Sequence, residues 1–367
     1  MRINGEATKQ QNRKYYFDIL KLFACYCVIV DHTNFFISTG GNRIPQGGIE
    51  SFFAFLYLTI AHVAVTLFVM ISGALLLGKQ ESYKQCLFRV LKCGLVIAIF
   101  TAIHYLCEYG VGNFVFKDLI KHMVCGDYVI NYWYLYMYMA LLVMLPVLRK
   151  MVEKMKDKDY IYLCVLTIIC SFDFVTSINE WFVLPLFVPF VGIFIMGFFL
   201  DNYDIRKLLP ANHLSAKVCF VGSTIGLFAD VIFVTVYSLR ESALDQTVSN
   251  RFFCWDNVFY IYMAAYLIYW TKYICLNKVG KILNKDALRN LWGGGKRLVS
   301  RGVYCTYGIY LIHGIITLLL IKYIKRFLDL SVFPQLINWI VLDLCMFTVC
   351  GVLVYLIKKI SIFRILI

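Results

Sequence analysis

The sequence predicts an all-α fold, a polytopic transmembrane helical bundle of about ten helices with N- and C-termini cytoplasmic. Three observations carry that expectation. The chain has 367 residues, is 61% hydrophobic, and has a mean hydropathy of +0.72. Only 16% of its residues are charged, and they gather in short clusters between apolar runs. Those clusters are also unequal in Lys and Arg between alternate connections, which is the signature that orients membrane helices.

Ten apolar segments follow one another at about 15–36, 52–77, 90–107, 129–148, 160–175, 181–200, 217–239, 252–275, 303–323 and 337–357. Placing the N-terminus in the cytoplasm puts 27 of the 36 Lys and Arg in inside segments and 8 outside, with Lys21 inside the first run. Lys322, Lys325 and Arg326 fall on the wrong side of this pattern. The net charge of +14 would point to nucleic acid in a soluble chain, but here the orientation rule accounts for it. The partner it implies is the lipid bilayer, and no nucleic acid is expected. The basic stretch 1–14 reads as a cytoplasmic tail before an uncleaved start-transfer helix, 15–358 as one membrane domain, and 359–367 as a second cytoplasmic tail.

Fourteen cysteines are spread through the chain. Most, among them Cys25, Cys27, Cys93, Cys164, Cys170, Cys219, Cys345 and Cys350, lie within apolar runs, and no Cys-x-x-Cys occurs. They read as small buried hydrophobes, so neither a metal nor a tightly bound cofactor is expected. The longest hydrophilic stretch, 277–302, contains WGGGKR but lacks the spacing and the hydroxyl residue of a phosphate-binding loop. It reads as a basic cytoplasmic linker. No internal repeat is evident, which weighs against a carrier, since transporters are often built from repeated halves.

The first run, YYFDILKLFACYCVIVDHTNFF, is long enough to cross a bilayer yet carries Asp18, Lys21, Asp31 and His32. Ionisable groups at that depth are costly and usually functional. At about 100° per residue, Lys21 and His32 share one stripe, roughly 16 Å apart along the axis. Asp18 falls on the same stripe with Cys25 between, whereas Asp31 points well away. Two readings follow: a polar channel facing the bundle interior, or an interfacial Asp18–Lys21 pair with Lys21 snorkelling and His32 merely satisfied near the other end.

Five stretches, taken together and in order, resemble the acyltransferase 3 family. FDILKLFACYCVIVDH is similar to the family's basic residue followed, after ten others, by histidine, here Lys21 and His32. VTLFVMISGALLL resembles its Phe-rich run ending in Ser-Gly, here Ser72 and Gly73. SYKQCLFRVLK resembles its Arg-x-x-Arg, although Lys92 departs from the pattern begun by Arg89. NYWYLYMYMALLVMLPVL and TYGIYLIHG, the latter ending near His313, complete the set. The resemblance implies a membrane enzyme that moves acyl groups, typically from cytoplasmic acetyl-CoA, onto an extracytoplasmic glycan, lipid-linked sugar or related acceptor. It also implies residence in a bacterial cytoplasmic membrane as a multi-pass protein. Self-association stays open.

The chemistry of the residues agrees with that implication. The imidazole of His32 is suited to take a proton from a hydroxyl near neutral pH, or to carry the acyl group itself. Lys21 would stabilise charge on the thioester oxygen or departing thiolate, with Asp18 one turn earlier to orient it. Arg89 and Lys92 would meet the phosphates of coenzyme A, whereas Lys79 and Lys84 read as ordinary topological charge. Ser72 is a nucleophile or, with Gly73, a packing pair. His313, after Tyr304, Tyr307 and Tyr310, is a second polar wall or a structural histidine. His62 would meet the acceptor, and Trp133 would stack on a sugar or belong to the aromatic belt. The rival from another class is a transporter or flippase for a polar or lipid-linked solute, its charged stripe forming the path.

Overall fold

The computed structural model describes residues 14–38, 48–126, 129–171, 188–203, 216–245, 257–273, 286–324 and 335–367. The N-terminal tail up to residue 13 and parts of several connections lie outside the described residues. Among those described, every regular element is helical. In chain order the α-helices are α1 (Tyr15–Ser38), α2 (Gly48–Ala61), α3 (Ala64–Leu76), α4 (Tyr83–Tyr109), α5 (Phe116–Cys125), α6 (Trp133–Lys154) and α7 (Asp157–Cys170). They continue with α8 (Val188–Asn202), α9 (Ala216–Asp245), α10 (Val258–Tyr273), α11 (Asp286–Leu319), α12 (Gln335–Ile357) and α13 (Ser361–Leu366).

Among the described residues, six stretches are long and apolar enough to cross a bilayer: Gly48–Leu76, Tyr83–Tyr109, Trp133–Lys154, Phe220–Arg240, Arg297–Leu319 and Leu336–Ile357. A described helix also falls in each of the remaining apolar runs, but α8 is shorter and α1 carries Asp18, Lys21 and Asp31. Ten crossings are therefore an expectation, and six are what helix length and composition support.

The apolar run 52–77 is not one straight helix. A turn at His62 and Val63 interrupts it between α2 and α3, with no proline or glycine there. The His62 ring supplies a cause. Its Nδ1 lies 3.3 Å from the Leu58 carbonyl, which already accepts the His62 backbone N–H at 3.0 Å. A side chain competing for an i−4 carbonyl is a recognised source of helix kinks.

The stretch 277–302 also departs from expectation. From Asp286 on it is helical, since α11 runs unbroken to Leu319, and residues 277–285 lie outside the described residues. Three successive glycines, each worth about 1 kcal/mol against helix, argued for a loop; the apolar half of α11 packs into the bundle and carries the helix through them. Lys322, misplaced by the charge count, has a local task. Its Nζ donates to the carbonyls of Cys107 and Glu108, at 3.4 and 3.2 Å, where the C-terminal end of α4 leaves carbonyls unpaired. Lys325 and Arg326 lie outside the described residues.

α1 is the axis of the bundle, packed against α2, α3, α10, α11 and α12. Cys27, Val28, Ile29 and Val30 are all buried, so successive residues on every side of the helix meet protein, as an all-round buried helix requires. The tightest crossing joins α3 and α8. A Cβ added at Gly73 would lie 1.7 Å from the Phe194 carbonyl oxygen, and one at Gly197 would lie 1.9 Å from that of Met70. The two backbones touch where small residues permit it. The rim is apolar and exposed: Val221, Ile225, Phe228, Ile232 and Val236 along α9, with Val341, Leu344, Val349, Val352 and Leu356 along α12. Such stripes would be an aggregation hazard in water and suit a multi-pass membrane protein.

Candidate active site

The polar groups collect at two levels. We call the end where α1 begins the N-face and the opposite end the far face. At the N-face a cavity of about 700 Å³ is lined by Asp18 and Lys21 of α1, Lys14 just before it, Lys79 after α3, and Asp201 with Asn202 at the end of α8. Its size is within the range of small-molecule sites. The Asp201 carboxylate is gripped by Lys14 Nζ and the Tyr16 hydroxyl, and Lys272 Nζ donates to the Leu200 and Asp201 carbonyls at 3.0 and 2.6 Å. Three lysines thus border one opening, offset by two carboxylates. Asp18 and Lys21 come together there as their spacing predicts.

Beside it, α4 begins with a capping box in which the Ser82 N–H donates to Gln85 Oε1 at 2.7 Å while the Ser82 hydroxyl accepts from the Gln85 N–H. That start sets Arg89 two turns into α4, where its Nε and Nη2 donate to the two oxygens of Glu81 at 3.0 and 2.6 Å. Arg149 of α6 donates to the same carboxylate at 2.9 Å and, from Nε and Nη2, to the Leu76 carbonyl at 3.0 and 2.9 Å, capping α3. The Arg89 hydrogen bond first, then that from Arg149, holds the Glu81 carboxyl down at about 2 against the opposing effect of burial. Arg89 is therefore presented by a carboxylate. Lys92, one turn on, lies within the electrostatic reach of Lys358.

At the far face a small chamber of about 20 Å³ is lined by Asp31 and His32 of α1, His62 and Val65 at the turn, Asn131 and Trp133 at the start of α6, and Tyr134 and Tyr310. It has room for about one water molecule. The His32 ring stacks on that of His313, with centroids 5.2 Å apart and planes 30° from parallel. His313 Nδ1 lies 2.6 Å from the Tyr310 carbonyl, and Nε2 lies 3.2 Å from Asn131 Nδ2. With a carbonyl opposite Nδ1, the neutral ring donates there and accepts at Nε2 from the Asn131 amide. The Tyr310 hydroxyl donates to the Asn131 backbone carbonyl. His62 Nδ1 meets Asp31 Oδ1 at 2.8 Å, so Asp31, expected to point away, faces the same chamber as His32. Asp31 and His32 both line the chamber, and His62, at the turn between α2 and α3, meets Asp31 there. Trp133 lines the chamber too, 6.1 Å from the Phe190 ring.

Lys21 and His32 occupy these two separate cavities. Along α1 between them, Ala24, Cys25 and Val28 are buried, so the expected stripe is not an open channel. The polar connection runs instead beside α1, through tyrosines. Tyr138 is within electrostatic reach of Arg89 and Glu81. Its ring stacks on Tyr134, at 6.1 Å and 8°, and Tyr134 in turn packs edge-on against Tyr310 at 5.7 Å. Ser72 lies near the Tyr134 hydroxyl midway, and Tyr307 adjoins the same column. Gly73 packs against α8, while Ser72 faces this column.

Glu81, Arg149, Asn131 and Asp201 border the candidate site and were not singled out from the sequence, and Lys79, read there as topological charge, lines the N-face cavity. Among the described residues no group of His, Cys, Asp and Glu could hold a metal ion. No curated protein and no solved structure matches the chain. Residues 14–358, nearly the whole chain, match the model of the acyltransferase 3 family, described as an acyltransferase domain. With that match over nearly its whole length, the chain belongs to the acyltransferase 3 family.

Proposed function

We propose that the protein is a membrane-bound O-acyltransferase, specifically an O-acetyltransferase, that carries an acyl group from cytoplasmic acetyl-CoA to a hydroxyl of an extracytoplasmic glycan or lipid-linked sugar. In this reading the N-face is cytoplasmic and the bilayer is the bacterial cytoplasmic membrane. The observation that carries it is the pairing of a cation-lined cavity at one face with an imidazole-lined chamber at the other, within one family-defined domain.

The donor enters at the N-face. Lys14, Lys21 and Lys79 border the cavity and offer its phosphates charge-assisted hydrogen bonds, with Arg89 and Lys92 on the neighbouring helix. The acyl-bearing arm then follows the tyrosine column toward His32. Lys21 offsets negative charge on the donor, with Asp18 beside it. At the far face the lining side chains part to admit the acceptor, since the closed chamber holds only about one water. Trp133 offers the sugar an aromatic face. The hydroxyl oxygen attacks the thioester carbonyl, the C–O bond forms, the C–S bond breaks, and the hydroxyl proton reaches the departing thiolate by way of imidazole. A positioned base of this kind is worth about 10²–10⁴-fold. The packed residues between Lys21 and His32 speak against a permeation path along α1.

Membranes with and without the chain, supplied with acetyl-CoA, test the reading through release of free thiol. Chain-dependent release is expected; equal release in both would refute it.

A further inference from the structure

Asp31 and His62 are a contact pair that the reaction as written does not use. His62 Nδ1 is 2.8 Å from Asp31 Oδ1, and the side chains are only 13% and 15% exposed. The same nitrogen is 3.3 Å from the Leu58 carbonyl. Both neighbours of Nδ1 are acceptors, so Nδ1 carries the proton and the neutral ring keeps its lone pair on Nε2. A buried carboxylate behind one imidazole nitrogen fixes the tautomer and stabilises the imidazolium formed when the other nitrogen takes a proton. Both residues line the chamber that holds His32. The third imidazole, His313, meets Tyr310 and Asn131 at its two nitrogens and serves as a wall for His32. Two imidazoles of different character thus share one chamber, and acyl transfer needs two proton movements.

We propose that His62, oriented by Asp31, takes the proton of the acceptor hydroxyl, leaving His32 to protonate the departing thiolate. This assignment rests on the acyl-transfer reading above. As the hydroxyl oxygen bonds to the thioester carbon, its proton passes to His62 Nε2. The C–S electron pair leaves on sulfur, and the proton held on His62 is handed on through the neutral His32 ring to the departing thiolate, so that both imidazoles end neutral and no proton is gained or lost. The groups that face His62 are Asp31 and His32 from α1, Asn131 and Tyr134 from the start of α6, Tyr310 from α11, and Tyr260 of α10, whose ring is 5.9 Å away. Among the described residues lining the chamber, Asp31 is the one carboxylate, so it sets the charge that His62 meets.

The test uses the full chain in membranes with acetyl-CoA as donor and two acceptors, the resident glycan and added hydroxylamine. Hydroxylamine attacks a thioester without a base to deprotonate it. In His62→Gln, transfer to the glycan falls by about 10²-fold or more while chain-dependent thiol release with hydroxylamine is retained; His32→Ala loses both. Asp31→Asn lowers glycan transfer while thiol release with hydroxylamine is retained, because the orienting carboxylate is lost; Asp31→Glu restores glycan transfer. Size-exclusion profiles in detergent confirm that each variant is folded. Equal loss with both acceptors in a folded His62→Gln, or no loss with either, overturns the assignment. Absence of chain-dependent thiol release from the wild type with either acceptor overturns the acyl-transfer reading itself.

Discussion

Replacing Gly73 by alanine tests the α3–α8 crossing on which the site is mounted. The added Cβ would lie 1.7 Å from the Phe194 carbonyl oxygen, and real Cβ atoms essentially never come within 3.0 Å of such an atom. The obstacle is backbone, so the two helices must part by at least 1.3 Å. Overpacking of a tight core costs about 1–3 kcal/mol, and parting the helices also forfeits dispersion along the crossing. The gain in helix propensity returns about 1 kcal/mol, leaving a net loss of roughly 0–2 kcal/mol to which the lost dispersion adds. Activity suffers too, because Ser72 on the next residue would shift from Tyr134 in the column. Thermal midpoint by size exclusion in detergent, read with thiol release from acetyl-CoA, makes the comparison. A lower midpoint with reduced turnover is expected. A midpoint equal to or above the wild type would refute the close approach of α3 and α8. Ser72→Ala, which keeps the crossing, should retain the midpoint.

Other consequences concern the N-face. Glu81 is held at about 2 against an ordinary 4.5, so its contribution to stability is complete above about 4.5 and is lost as pH falls toward 2. The midpoint difference between wild type and Glu81→Gln should therefore be constant from neutral pH down to about 5 and shrink below it; a difference that grows on acidification would contradict the pairing. Lys21→Arg should keep substantial activity and Lys21→Ala should not, since charge beside Asp18 is what the cavity supplies; equal rates for the two would remove Lys21 from donor stabilisation. Arg89→Ala should raise the acetyl-CoA KM roughly tenfold with kcat held, as loss of a uniform phosphate contact does. The effect should exceed that of Lys92→Ala and weaken in salt. An unchanged donor KM in both variants would reduce these charges to topology.

Much of this was legible from the chain. Three charges and an imidazole inside an apolar run marked α1 as special, and α1 is the buried axis. The motif stretches supply residues that line both cavities, Asp18 and Lys21 at one and His32, Trp133 and Tyr310 at the other, because those landmarks lie within local stretches. What stayed hidden depends on pairings between distant residues. Arg149 meets Glu81 across 68 positions, Asn131 meets His313 across 182, and Lys14 meets Asp201 across 187. Helical periodicity assigns a residue to a face of its own helix, but not the neighbour that face will meet. Asp31 shows this best: its angle from the Lys21–His32 stripe suggested that it points away, yet it lines the same chamber as His32 and meets His62 there. The available signal was modest, a lone carboxylate at the edge of an apolar run, shared by Glu81, Asp201 and Asp31.

The central claim is that an acyl group crosses from a cytoplasmic donor to an external acceptor within this one chain. Sealed inside-out vesicles present the cytoplasmic face to the medium, so acetyl-CoA carrying a labelled acetyl group can be added there and the label sought on glycan in the lumen. The account predicts base-labile label on lumenal glycan that requires the chain and falls by about 10²–10⁴-fold in a folded His32→Ala variant. Label that fails to reach the glycan, or that reaches it equally without the chain or with His32→Ala, would contradict the account.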